Sequence, residues 1–166
     1  MVCEVSVDDA LATRVNCVLA NDDPDGVEFL LNLEGTALGL SDAGAHVRQL
    51  CDAAQATDLL SVWVRERKAL SLETAIRKLA GQQADLLRLE DRGYLREGMS
   101  ADVVVFDADT IGPGPLRRIR DFPANAERLT ADAPTGVTHV LVNGTPIRRD
   151  GTQVDDRWPG VRPKLG

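Results

Sequence analysis

Along the first half of the chain, apolar positions fall in short runs that alternate between strand-like and helix-like spacing. Val15-Asn-Cys-Val-Leu-Ala20 reads as a buried strand, and Asn21-Asp22-Asp23-Pro24 follows it with a helix N-cap and Pro at the first helical position. A helix is expected over 24–32. The apolar stretch Thr36-Ala-Leu-Gly-Leu40 reads as a second strand, and Leu59, Leu60, Val62, Trp63 and Val64 give a helix over 54–69 a broad apolar face. Strand, helix, strand, helix is the alternation of a parallel α/β sheet. Ser71 is the expected N-cap of a further helix, with Glu73 in its first turn and Leu72, Ala75, Ile76 and Leu79 at helical spacing. Gly81 is expected to end it, and a shorter helix near 83–89 precedes Gly93.

From residue 94 the period changes. Tyr94-Leu-Arg-Glu-Gly98 reads as a short strand and turn, and Asp102-Val-Val-Val-Phe-Asp107 as a strand flanked by acids. His139-Val-Leu-Val-Asn-Gly-Thr-Pro-Ile147 places Asn143-Gly144 between two β-prone runs, the strongest local hairpin signal. Between them, 108–136 holds Gly112-Pro-Gly-Pro115, Pro123 and Pro134 and shows no clear period. A loop this long is expected to be functional or wrapped over another part of the protein.

Composition narrows the class. At 166 residues, with 43% apolar and 27% charged residues, the chain is expected to fold around a core. A net charge of −7, from 19 basic and 26 acidic residues, argues against nucleic acid as a partner. The local exception, Arg117-Arg118-Ile119-Arg120 beside Asp121, is expected to be solvated or ion-paired. No apolar run has the length of a membrane span, and the first nine residues are acidic where a signal peptide is basic. Cys3, Cys17 and Cys51 are odd in number and scattered, which suits reduced thiols. A cytoplasmic setting without membrane contact is the expectation.

Candidate chemistry gathers at Ser41-Asp42-Ala43-Gly44-Ala45-His46, directly after the second apolar stretch. An Asp at a strand end can cap a helix, hold a metal or act as a general base. Gly44 permits a positive φ in a tight turn, and His46, four residues after Asp42, faces it if the segment is a helix or tight turn. A zinc site built from this chain alone needs three or four ligands with usable spacing, and no H-x-H, H-x-x-x-H or C-x-x-C is present. A nucleophilic site built on Ser41, Asp42 and His46 needs those side chains within hydrogen-bond reach of one another.

Taken in order, Gly39-Leu-Ser-Asp-Ala-Gly-Ala-His46, Trp63-Val-Arg-Glu66 with Leu70-Ser-Leu-Glu73, Ala101-Asp-Val-Val-Val-Phe-Asp107 and Val140-Leu-Val-Asn-Gly144 resemble the C-terminal part of the amidohydrolase superfamily. Within it, the likeness is to the N-acyl-D-amino-acid deacylases. The resemblance implies the last two βα units of a (β/α)8 barrel in 1–93, an incomplete barrel, followed in 94–166 by C-terminal strands of a small β-sandwich domain carrying the long loop 108–136. It implies that Asp42 is both a metal-site residue and the catalytic general base, taking a proton from metal-activated water and passing it to the departing amine. Zinc is the metal the family implies, with the remaining ligands upstream of this chain, so that none is expected to be held stably by the chain alone. Ser41, Gly44, His46 and Arg48 are the implied substrate-side residues, and an N-acyl amino acid-like molecule with a linear amide is the implied substrate. The expected partner is a missing N-terminal barrel part or a second copy; the alternative to a hydrolase portion is a non-catalytic module that self-associates or complements a separate barrel half.

Overall fold

The computed structural model describes residues 20–121 and 123–163. The expected strand at 15–20 and the thiols of Cys3 and Cys17 therefore lie outside the described residues, apart from Ala20.

The first helix, α1 (Pro24–Asn32), starts as its sequence dictates: the Asp23 carboxylate accepts the Asp25 N–H at 3.1 Å, and Pro24 occupies the first turn. Thr36 then donates its hydroxyl to the carbonyls of Leu30 and Leu33, closing the helix end. The segment 36–40 differs from expectation. It has no strand partner among the described residues. Its carbonyls go instead to side chains: Thr36 C=O accepts from Lys78 and Gln82, Leu38 C=O from Gln83, and Gly39 C=O from Gln55. Backbone acceptors that lack a ladder must find another donor, and long amides on the neighbouring helices supply it.

The helix expected over 54–69 has two parts. A short α2 (Gln55–Asp58) runs into a π-helical segment, Leu59–Glu66, whose wider spacing continues in the Arg67 N–H to Val62 C=O bond. This wider winding buries Leu59, Leu60 and Ser61 together. Helix α3 (Leu72–Leu79) is capped by Ser71, which accepts the Thr74 N–H, with Glu73 in the first turn and Arg77 and Lys78 in the last. It stops at Ala80, whose backbone (φ −123°, ψ −73°) is not helical, and α4 (Gly81–Leu86) begins at the next residue.

The second half is β. Strand β1 (Val103–Phe106) pairs antiparallel with β4 (Val137–Val142), which turns at Asn143-Gly144 into β5 (Thr145–Arg149) and then β6 (Thr152–Gln153), in the order β1-β4-β5-β6. Asn143 and Gly144 both take positive φ, 47° and 74°, as a two-residue hairpin turn with the right twist requires. At 94–98 the expected turn forms, closed by Met99 N–H to Arg96 C=O, without the expected strand.

One core joins the halves. Leu59, Leu60, Leu70 and Ala75 from the helices bury against Ile111 and Val137 from the β part. Asp107 sets Ile111 in place by accepting the Asp109 N–H and the Thr110 hydroxyl, while its carbonyl takes the Ile111 N–H. Gly136 must be glycine here: its φ is +70°, and a Cβ would come within 2.6 Å of the Ile111 backbone.

The long segment 108–136 is not structureless. It folds into a separate antiparallel pair, β2 (Leu116–Arg120) and β3 (Glu127–Ala131), with Arg118 opposite Leu129 and Arg120 opposite Glu127.

Candidate functional site

The Asp42 turn is built by backbone geometry. Asp42 and His46 adopt φ of 51° and 44°, and Gly44 adopts +94°. Ala45 N–H bonds back to Asp42 C=O at 2.9 Å, and Gln49 N–H to His46 C=O at 2.7 Å. The Ser41 hydroxyl accepts the Ala43 N–H at 3.4 Å, a turn of the kind short polar side chains form. Nothing lies within 4 Å of where a Gly44 Cβ would stand, so glycine serves the positive φ rather than a close approach.

Side chains at the turn point outward. Asp42, Gly44, His46 and Arg48 are exposed and Ser41 is half-buried. The only side-chain bond drawn from Ser41, Asp42 and His46 among the described residues is that of Ser41 to Ala43, so a self-contained nucleophilic site has no support in this geometry. No helix starts here either, which removes helix capping as a use for Asp42. Among the described residues no three His, Cys, Asp or Glu side chains gather as a possible metal set. The turn offers one carboxylate, and a zinc ion needs three or four ligands; these residues by themselves do not fit the ion. The second histidine, His139, sits in β4 and pairs with Asp150 at 3.4 Å.

The β2–β3 hairpin bonds to the second half of the turn segment. Leu129 N–H donates to Val47 C=O at 2.7 Å, and Arg118 Nη1 donates to Arg48 C=O at 2.9 Å. The arginines of the hairpin are ion-paired within it: Arg117 with Asp132, Arg118 and Arg120 with Glu127, and Arg128 with Asp121. Hydrogen bonding from Arg128 holds the Asp121 carboxyl below its usual range. At the end of α2, burial pushes the Asp58 carboxyl up, with Glu66 and Asp52 adding repulsion. Arg118, Glu127 and Leu129 carry no local sequence signal of this contact, which spans 70 residues for the Arg118 bond.

With this geometry in view, the comparisons with known proteins define the class. A family model described as the amidohydrolase family matches residues 7–148, and the chain belongs to that family. Its similarities are to deacylases. It is 42% identical over 95 residues to the N-acyl-D-glutamate deacylase of Alcaligenes xylosoxydans xylosoxydans, covering 55% of this chain and 17% of that protein. It is 38% identical over 109 residues to the N-acyl-D-aspartate deacylase of the same organism, covering 63% of this chain and 19% of that protein. A solved structure of D-aminoacylase, a study of that protein's binuclear metal center, superposes with a TM-score of 0.62 at 28% identity, covering 81% of this chain and 26% of that one. The chain thus shares an amidohydrolase fold with D-aminoacylase while spanning about a fifth of the length of the two deacylases it matches. No described helix is long and apolar enough to cross a membrane.

Proposed function

We propose that this chain is the C-terminal portion of a metal-dependent amidohydrolase that cleaves the linear amide of N-acyl amino acids. In this reading residues 1–93 belong to the end of an incomplete (β/α)8 barrel and 94–166 to a small β-sandwich domain, and the molecule is cytoplasmic. Asp42 contributes its carboxylate to a zinc site whose other ligands come from the rest of a longer protein. The observation that carries the reading is the Asp42 turn itself: an exposed carboxylate with no side-chain partner among the described residues, held at positive φ after an apolar segment, in a chain matched to the family over 7–148. A carboxylate so placed can take a proton from water and return it to a leaving amine. Ser41, Gly44, His46 and Arg48 line the same turn and are assigned to the substrate side. The names of the two deacylases make N-acetyl-D-glutamate and N-acetyl-D-aspartate the first substrates to test.

The test is amine release from these two compounds by the purified chain with added zinc, alone and fused to the upstream barrel of a deacylase relative. The expected result is no turnover alone and turnover in the fusion that Asp42→Asn lowers by at least about 100-fold, the scale of a lost general base. Turnover by the 166-residue chain alone overturns it.

A second reading is favoured by a separate observation. Strand β1 is an edge of the described sheet, and Val104 and Val105 are 54% and 46% exposed on it, while Trp158 is 91% exposed. Unpaired apolar edges are sites of strand addition. As a non-catalytic module the chain covers these surfaces by self-association or with a separate barrel half. Sedimentation showing a monomer, with a melting temperature independent of protein concentration, counts against self-association.

A further inference from the structure

We propose that Arg118 is a positioning residue for Asp42, and that the β2–β3 hairpin is the strap through which the second half of the chain sets the geometry of the Asp42 turn. The functional weight of this proposal rests on the role assigned to Asp42 above; the coupling itself does not.

Arg118 and Leu129 are cross-strand partners, one rung of the hairpin. That single rung grips two successive carbonyls of the turn, Val47 through the Leu129 N–H and Arg48 through the Arg118 guanidinium. The same Nη1 atom also donates to Glu127 Oε1 at 3.0 Å. Glu127 holds it there: its side chain is only 13% exposed and its second oxygen takes Arg120 Nη2 at 3.4 Å. The acidic group is thus fixed by the hairpin, it fixes Arg118, and Arg118 fixes the turn. A hydrogen bond from a charged donor to a backbone carbonyl is among the stronger kinds.

The turn needs such a hold. Asp42 and His46 stand at positive φ, a region that non-glycine residues leave readily. On the turn's own side, what opposes that among the described residues is a few local bonds: Ala45 to Asp42, Gln49 and Leu50 to His46, and the long Ala43 to Ser41 hydroxyl contact. Val47 and Arg48 lie in the second half of the turn, so releasing them loosens the His46 half directly and, through the chain joining Ala45 to His46, the half that sets the direction of the Asp42 carboxylate.

Amide exchange and the three-bond HN–Hα coupling of Asp42, measured by NMR on the purified chain, test this without any activity. In Arg118→Ala, exchange at Ala45, Gln49 and Leu50 rises about tenfold, the population change one such bond carries, and the Asp42 coupling moves toward its averaged value. Arg118→Lys restores both, because an ammonium can still reach the carbonyl and Glu127. Arg120→Ala, which removes one partner of Glu127 but no bond to the turn, raises exchange at the three amides by clearly less than Arg118→Ala does. Unchanged exchange in Arg118→Ala, failure of the Lys variant to restore it, or an equal effect of Arg120→Ala overturns the proposal. A chain that shows the coupling but supports no hydrolysis in the fusion defeats only the functional reading.

Discussion

Two aspartates in this chain occupy opposite settings. Asp102 is fully engaged: one oxygen accepts the Asn143 N–H at 2.8 Å and the other accepts Arg92 Nη1 at 2.9 Å, while Arg92 also grips Asp91. That network fastens the loop after α4 to the β4–β5 turn. Asp42 stands exposed on a strained turn with no side-chain partner among the described residues. The engaged carboxylate does structural work, and the free one retains its capacity for a ligand or a proton. An exposed carboxylate that no protein group engages keeps its acceptor oxygens open to water or a ligand.

Mutations that separate these settings should fall in a definite order. The largest loss is expected from the core both halves share: Leu60→Ala removes a side chain that is 5% exposed and lowers unfolding stability by about 2–4 kcal/mol in urea titration. Asp42→Asn in the same assay stays within about 0.5 kcal/mol of the parent. If the two variants prove alike, the contrast between a structural and a spare region is lost.

Asp102→Ala comes next, at about 1–3 kcal/mol, because it strands the Asn143 N–H and one Arg92 donor that the fold holds in place. Gly44→Ala follows at about 1 kcal/mol, arising from its positive φ since the space around it is open. A stabilising effect there would show that the turn is not held at the geometry described.

The smallest effect concerns pH. Hydrogen bonding to Arg92 and to Arg128 lowers the Asp91 and Asp121 carboxyls, so their stabilisation is present above the unfolded carboxylate pKa, about 3.9, and is lost as pH falls through the lower folded values. Asp58 runs the other way. Burial raises it, so its favourable contribution exists below the unfolded pKa and is lost as pH rises through the raised folded value. Asp58→Asn should therefore raise the urea midpoint at pH 7, with the gain shrinking as the medium is acidified. A midpoint that falls at pH 7 would mean that the charged carboxylate is stabilising after all.

How much of this was legible in the sequence depends on the range of the interaction. The Asp23 and Ser71 caps, Pro24 in the first turn and the Asn143-Gly144 hairpin were readable because each rests on bonds between residues a few positions apart. The Ser41–His46 motif was readable as a tight turn with glycine at positive φ, and as a family signature. The β2–β3 hairpin was not: its strands carry arginines and acids rather than alternating apolar residues, and their pairing partners lie across a Pro-bearing turn. Nor was the fate of 36–40, whose apolar composition suits a strand equally well whether its carbonyls meet a neighbouring strand or the amides of Gln55, Gln82 and Gln83.

By itself, then, the sequence determined the caps, the tight turns and the family, since propensity, φ restriction and motif order act on neighbouring residues. Only the tertiary structure decided that Leu129 and Arg118 close on the carbonyls of Val47 and Arg48, that Asp102 is consumed by Arg92 and Asn143, and that Asp42 has no side-chain partner among the described residues. Those outcomes depend on which surfaces the shared core of Leu59, Leu60, Ile111 and Val137 brings together, and a hydrogen bond between distant residues exists only once that packing has set its distance.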